Sequence, residues 1–415
     1  MSRLSRKLLK QADELCRIAE KIYHYRCDLL AENPRVALRG ALDRVQDLKD
    51  DRELVEEATL REAMAALEVE MRASGGTYFP KRGMNENVEV LLVAAILAIG
   101  IRMFFVQPFR IPTNSMYPTY NGMTSEVFHG PEDTPSVLAR PFRAVAFGAS
   151  RFDFKAPDSG EIIIPVFRAS GAREGFALPG KAVRARKWFG LLPTTDAEYV
   201  VIVGEMPFAV HVPVEFQFSK VVWERFGPPT ADKLKLGPGG VWFFHTGVQA
   251  VKGESFLSFD ILLGDQLFVD RMTYHFRQPR VGEPIVFHTD NIEGMAEGER
   301  GKYYIKRLVG RPGDSLQVKD PVLYSNGEPI RGAGAFEMNA ERKGEYEGYL
   351  SSVTTHDQVP LSEPFVVPQG CYFAMGDNSD ESADSRVWGP LPERAMVGRA
   401  LVIYYPFTKH LGVAR

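Results

Sequence analysis

The spacing of hydrophobic positions changes twice along the 415-residue chain. From residue 1 to about 74, Leu, Ile and Ala recur every three or four positions, through KLLKQADELCRIAEKI and again through LVEEATLREAMAALEVEM, which predicts helix. Acidic and basic residues alternate on the other faces, and Asn33-Pro34 marks the expected break of a solvated helical hairpin able to dimerise. SGGTYFPKRG (74–83) reads as a linker, so residues 1–80 form an N-terminal helical region. Periodicity then vanishes. Residues 90–101 are continuously apolar, Arg102 interrupts, and the apolar run resumes from 103 to 106. The 19 positions from 88 to 106 come close to the length that crosses hydrocarbon, so a transmembrane helix is expected over 86–107. Glu89 and Arg102 sit near its ends, where long side chains reach headgroups. After Pro108 the period becomes two and β-branched and aromatic residues dominate. AEYVVIVGEMPFAVHVPVEFQF, DQLFVDRMTY, EPIVFHTD, KYYIKRLVG, CYFAMGD and GRALVIYYPF read as strands between Gly and Pro turns. The expected architecture is a mostly β domain, 108–415, outside the membrane.

Composition mainly excludes. The net charge of −3 offers no basic field for nucleic acid. Three cysteines, Cys16, Cys27 and Cys371, make no disulfide framework and no zinc spacing. The eight histidines are scattered singly, and His245 and His288 fall in strand-like stretches, so no metal set is expected. The start, MSRLSRKLLK, is basic but lacks the apolar core of a signal peptide. Lys81 and Arg82 precede the span and Arg110 follows it, which places the N-terminus in the cytoplasm by the positive-inside rule.

Candidate chemistry begins in RIPTNSMYPT, 110–119, where Ser115 lies between Pro112 and Pro118 just past the span. A serine hydroxyl needs a partner to take its proton. No histidine stands out for that role, which leaves a lysine made neutral by burial, since desolvation lowers a lysine pKa by up to about 3–5 units. KYYIKRLVG places Lys306 inside an apolar strand. Alternation puts Tyr304 and Leu308 on its face and Ile305, Arg307 and Val309 on the other. Taken alone, the strand equally fits an inward-reaching stem with a solvated amine. GDNSDESADSRVWG, 376–389, fits either a polar loop with Asx turns or a loop that orders a site through Asp/Arg pairs. Its carboxylates do not follow calcium-loop spacing. GDSL at 313–316 is a tight turn rather than an esterase motif, and GPGGVW at 237–242 lacks the lysine and helix of a phosphate loop.

In this order, behind an apolar span, FFVQPFRIPTNSMYPT, GDQLFVDRMTY, YYIKRLVGRPGD and GDNSDESADSRVWGPLPERAMVGRA resemble the bacterial type I signal peptidases (leader peptidases), membrane-bound Ser-Lys endopeptidases. The resemblance covers the span and most of 255–407. It implies a signal-peptidase-like β fold with Ser115 as nucleophile and Lys306 as general base. Thr113 and the Ser115 N–H would hold the oxyanion, and the Ser382 hydroxyl would contact the lysine. Arg307, Asp377, Asp384 and Arg386 would buttress the site, and Ile111, Pro112, Met116, Tyr304 and Ile305 would bind substrate. An aspartate of the 376–386 loop is expected to pair with Arg307. The implied activity is removal of signal peptides from exported preproteins after small A-x-A-like residues, without cofactor or metal. The implied partners are preprotein signal peptides, the lipid bilayer and the secretion machinery, at the inner (plasma) membrane in a single pass with the catalytic domain extracytoplasmic. The chain departs from the family's common pattern at Ser379, where Arg is frequent, at Glu381, where Asn is, and at Arg271, where Lys is. About 150 residues separate Ser115 from Asp265, so 123–255 reads as an inserted β-rich subdomain. Two other readings share these features: a self-cleaving protein of the soluble repressor kind, and a catalytically inactive membrane-anchored scaffold.

Overall fold

The computed structural model describes all residues except 1–4, 52–54, 77, 80–82, 131, 170–174, 188–191 and 415, and only the backbone of 83–86, 169, 186, 187, 192 and 239. Lys81 and Arg82, on which the expected orientation rests, lie outside the described residues. The chain forms two compact units, Met1–Ile99 and Gly100–Arg415.

In the first unit the apolar stripes do what their spacing predicts, but on three helices instead of two. These are α1 (Arg6–Arg26), α2 (Glu32–Asp50) and α3 (Glu57–Ser74). Leu8, Ala12, Cys16, Ala19 and Ile22 of α1 share one core with Leu38, Leu42 and Val45 of α2 and Leu60, Leu67 and Met71 of α3. The hairpin expectation fails because the chain turns before Glu32 and breaks again after Asp50. Asn33-Pro34 lies inside the first turn of α2, where a missing N–H leaves no helical bond unmade, so the proline does not break the helix. Next comes α4 (Gly83–Phe104). Its stretch Asn87–Phe104 has a mean hydropathy of 2.0 and is long and apolar enough to cross a membrane. The core helix of a soluble domain would be covered, whereas here Leu91 and Ile96 are 69% and 68% exposed.

The second unit is built on an antiparallel sheet of eight strands among the described residues. The order is Val106–Arg110, Gln266–Asp270, Met396–Tyr405, Pro284–His288, Tyr303–Gly310, Cys371–Met375 and Leu391–Pro392, with Gly412–Val413 paired to Met396–Tyr405. The first of these strands starts two residues beyond α4. Tyr303–Gly310 is central, and from Lys306 to Gly310 every residue is buried. DQLFVDRMTY is only half strand. The Asp270 carboxylate accepts the N–H groups of Met272 and Thr273 at 2.8 and 3.0 Å, turning the chain into a short helix, Thr273–Phe276.

Residues from Met123 to Ile261 enclose a core of their own, which includes Ile162, Val201, Phe218, Phe244 and Phe259. A seven-stranded sheet carries it, together with a three-stranded sheet of Thr124–Phe128, Ser255–Leu262 and Ser150–Lys155. This core therefore reaches past 255, because Ser255–Leu262 pairs with strands on both sides within the region. Two short helices accompany it, α5 (Ala139–Phe147) and α6 (Phe218–Phe226). The last residues of the strand-like run AEYVVIVGEMPFAVHVPVEFQF leave the sheet, and Phe218 opens α6.

Candidate active site

Ser115 is carried by a loop tied down at several points. The Ile111 N–H bonds the Asp265 carbonyl at 2.9 Å, and the Met123 N–H bonds the Pro112 carbonyl at 3.0 Å. The Asp265 side chain accepts the Asn121 N–H at 2.8 Å and faces His410 Nδ1 at 2.9 Å. Asn114, next to the serine, takes the Gly122 N–H on Oδ1 at 2.9 Å. Two glycines permit the close approaches. A Cβ on Gly264 would stand 1.9 Å from the Ile111 carbonyl oxygen, and one on Gly376 would stand 2.3 Å from both the Ser115 carbonyl oxygen and Ser382 Oγ. Neither position admits a side chain while the loop keeps this path.

Lys306 Nζ lies 2.5 Å from Ser115 Oγ, across 191 residues of sequence, and both side chains are buried. Opposite Lys306 in register stands Ile285, and the amine lies 5.3 Å from the centre of the Tyr304 ring. Burial pushes the amine pKa down to about 8, against the pull of Asp384 and Asp377 and with the help of Arg386. A lysine with that pKa is neutral in about a tenth of molecules at pH 7, against fewer than about one in a thousand for an exposed one.

Strand alternation sends Arg307 the other way. Its guanidinium is fully buried and makes a two-pronged contact with Asp377 at 2.7 and 2.6 Å, while Nη1 donates to the Gly282 carbonyl at 2.7 Å. Burial would lower the Arg307 pKa, but the Asp377 charge and hydrogen bonds outweigh it and raise it. Thr119 also donates to Asp377, at 2.5 Å. The second pair of the 376–386 loop is Asp384–Arg386, at 2.9 and 2.7 Å. Burial would raise the Asp384 carboxyl; the Arg386 charge and hydrogen bonds and the Gly376 N–H hold it below its ordinary value. Ser379 is one of the departures from the family pattern. Its hydroxyl meets Arg386 Nη1 at 2.9 Å and its carbonyl accepts Nη2 at 2.7 Å.

Not every implied contact forms. Ser382 Oγ is fully buried beside Gly376 and makes no hydrogen bond to Lys306. It faces Asp384 instead and helps hold that carboxyl low. Thr113 is exposed. Ile111 and Met116 are packed into the core beneath the loop, so Pro112, Tyr304 and Ile305 are the implied substrate-binding residues that keep accessible surface. Sequence reasoning missed Asn114, Thr119, Asp265, His410 and Asn378. An Asn beside the nucleophile was a visible signal, whereas His410 offered none, because its partner is 145 residues away. Among the described residues, no three His, Cys, Asp or Glu side chains converge as a metal site.

Fold and site together describe a β-sheet protein with a buried lysine amine within hydrogen-bond reach of a serine hydroxyl. Residues 239–405 match the family model described as signal peptidase, peptidase S26. A probable signal peptidase I-1 of Synechocystis is 32% identical over 146 residues, 35% of this chain and 65% of that protein. Signal peptidase I T of Bacillus subtilis is 33% identical over 148 residues, 35% of this chain and 67% of its own length. A crystal structure of a signal peptidase I from Enterococcus faecalis aligns over 30% of this chain and 97% of its own at 26% identity, with a TM-score of 0.23. The chain belongs to the signal peptidase family, peptidase S26. The stretch matched by the family model begins after the Ser115 loop.

Proposed function

We propose that the protein is a membrane-bound serine endopeptidase that removes signal peptides from exported preproteins by a Ser–Lys mechanism, cleaving after small A-x-A-like residues. The observation that carries this reading is the 2.5 Å approach of a buried Lys306 amine to the Ser115 hydroxyl. Family membership supports the substrate class. In the proposed reaction Ser115 Oγ attacks the scissile carbonyl carbon while neutral Lys306 takes the hydroxyl proton. The oxyanion rests on the Ser115 N–H and the Thr113 hydroxyl, donors of a kind worth about 3–4 kcal/mol each in rate. Exposure of Thr113 fits a group that waits for substrate. The lysine returns its proton to the leaving amine, and the acyl-enzyme is then hydrolysed by a water that Lys306 deprotonates. Arg307 with Asp377 and Arg386 with Asp384 hold the 376–386 loop against the nucleophile loop.

From Tyr303 to Lys306 the central strand is paired only with Pro284–His288; its pairing to Cys371–Met375 starts at Arg307. An extended substrate can add there as a strand. Ser115 follows the end of α4 by eleven residues of sequence, which supports a serine working near the membrane surface where an anchored signal peptide emerges, with the N-terminal helices in the cytoplasm.

The test uses the full chain in detergent and a preprotein with an A-x-A site. Wild type should release the mature protein, and Ser115→Ala and Lys306→Arg should each lose about a thousandfold or more, arginine being unable to shed its proton. Uncut preprotein with wild type, or Ser115→Ala cleaving as wild type does, defeats the proposal. Cleavage of the chain itself alone would favour a self-cleaving protein.

A further inference from the structure

The corner between strand Met206–Pro213 and α6 reaches the two loops that form the Ser–Lys site. Phe216 and Phe218 anchor it. Both are buried in the second core, with ring centres 6.1 Å from that of Phe259. Between them Gln217 faces outward and accepts a hydrogen bond from Asn114 Nδ2 at 3.4 Å, next to Ser115. Within the first turn of α6, Lys220 Nζ donates to Glu381 Oε2 at 2.9 Å. Glu381 also accepts Asn378 Nδ2 at 3.3 Å. The same Nδ2 bonds the Asn114 carbonyl at 3.1 Å, and the Asn378 N–H bonds the Ser115 carbonyl at 3.2 Å. The circuit Gln217–Asn114–Asn378–Glu381–Lys220 closes around the nucleophile. Glu215, exposed on the same corner, lies near enough to Tyr304 for its charge to add to the burial and the Glu299 hydrogen bond that raise that phenol's pKa.

These bonds are poor candidates for holding the fold together. The Lys220 and Glu381 side chains are 48% and 32% exposed, and pairs this exposed add little to stability. A bond of 3.4 Å is long. Their effect is on position. Glu381 is a place where the chain departs from the pattern that its loop resembles, and the cation that meets it comes from the segment that the resemblance does not cover.

We propose that the 123–261 region is a positioning element of the site. Through Lys220 on Glu381 and Gln217 on Asn114, it holds the Ser115 loop and the 376–386 loop in the arrangement that brings serine and lysine together. The kinetic consequences rest on the peptidase reading; the mechanical ones do not. Hydrogen–deuterium exchange and cleavage kinetics on the full chain in detergent therefore test it together, with Lys220→Glu, Glu381→Lys and the double exchange. Each single variant should speed exchange in peptides spanning 112–122 and 376–384, leave the melting temperature unchanged, and lower kcat about fivefold with KM within about twofold, the scale of one lost surface pair. The double exchange, with the charges reversed, should restore most of both readouts, only the Asn378 bond staying lost because a lysine cannot accept it. Unchanged exchange in the single variants, or no rescue in the double, overturns the proposal whether or not the protein cleaves. Faster exchange and rescue with an inactive wild type would leave the coupling standing and remove the peptidase reading.

Discussion

At the scale of single residues the decisive quantity is the charge on one amine. Lys306 sits at about 8 instead of 10.5 because burial removes the water that would solvate its ammonium. If the neutral form is the base, kcat/KM should rise with pH and level off above about 8, as a pH–rate profile on preprotein would register. A profile falling or flat through that range would exclude a neutral amine as the base. The same shift costs stability, and its sign follows from proton counting. Below about 8 both folded and unfolded chains hold the proton, and the folded one bears the full penalty, about 3 kcal/mol for a shift of this size. Between 8 and 10.5 the unfolded chain keeps a proton that the folded chain has released, so stability rises with pH. Lys306→Met should therefore stabilise the protein at pH 7 in urea unfolding, and the advantage should shrink towards zero by pH 10.5. An advantage independent of pH would mean that packing, not charge, sets the difference. The site gives up stability at this position for a base that works near neutrality.

At the scale of elements, the strand Tyr303–Gly310 does two things because its pairing is uneven. Its buried C-terminal half fixes Arg307 between neighbouring strands, while Tyr303 to Lys306 keep one free backbone edge. Backbone bonds in an added strand fall on alternate residues. Methylating single amides of a peptide substrate should then lower kcat/KM about tenfold at every second position near the scissile bond, the scale of one lost hydrogen bond, and little at those between. Insensitivity at every position would argue against strand addition. Period two was enough to read this strand, and the 3.6 period to read the N-terminal helices. Errors came where a side chain bonded to backbone. Asp270 ended DQLFVDRMTY early by accepting the N–H groups of Met272 and Thr273, and Pro34 proved harmless because the first turn of a helix does not need its N–H.

At the scale of the whole molecule, α4 spans the boundary in sequence between a helical unit and a β unit. In the proposed orientation residues 1–80 face the cytoplasm. Protease added outside sealed, right-side-out vesicles should spare an N-terminal tag and digest the β domain wherever its loops are open. Loss of the tag under those conditions would reverse the orientation. Local pattern identified the apolar span, the strands, and Ser115 and Lys306 as an isolated serine and a lysine among apolar neighbours. The reason is that periodicity and turn chemistry act over a few residues. Tertiary structure alone decided the rest. It brought the serine and the lysine to 2.5 Å, gave Arg307 to Asp377, and set Gln217 and Lys220 against the site loops. Each of these joins segments whose separation in space depends on how two cores pack, and no local spacing encodes that distance.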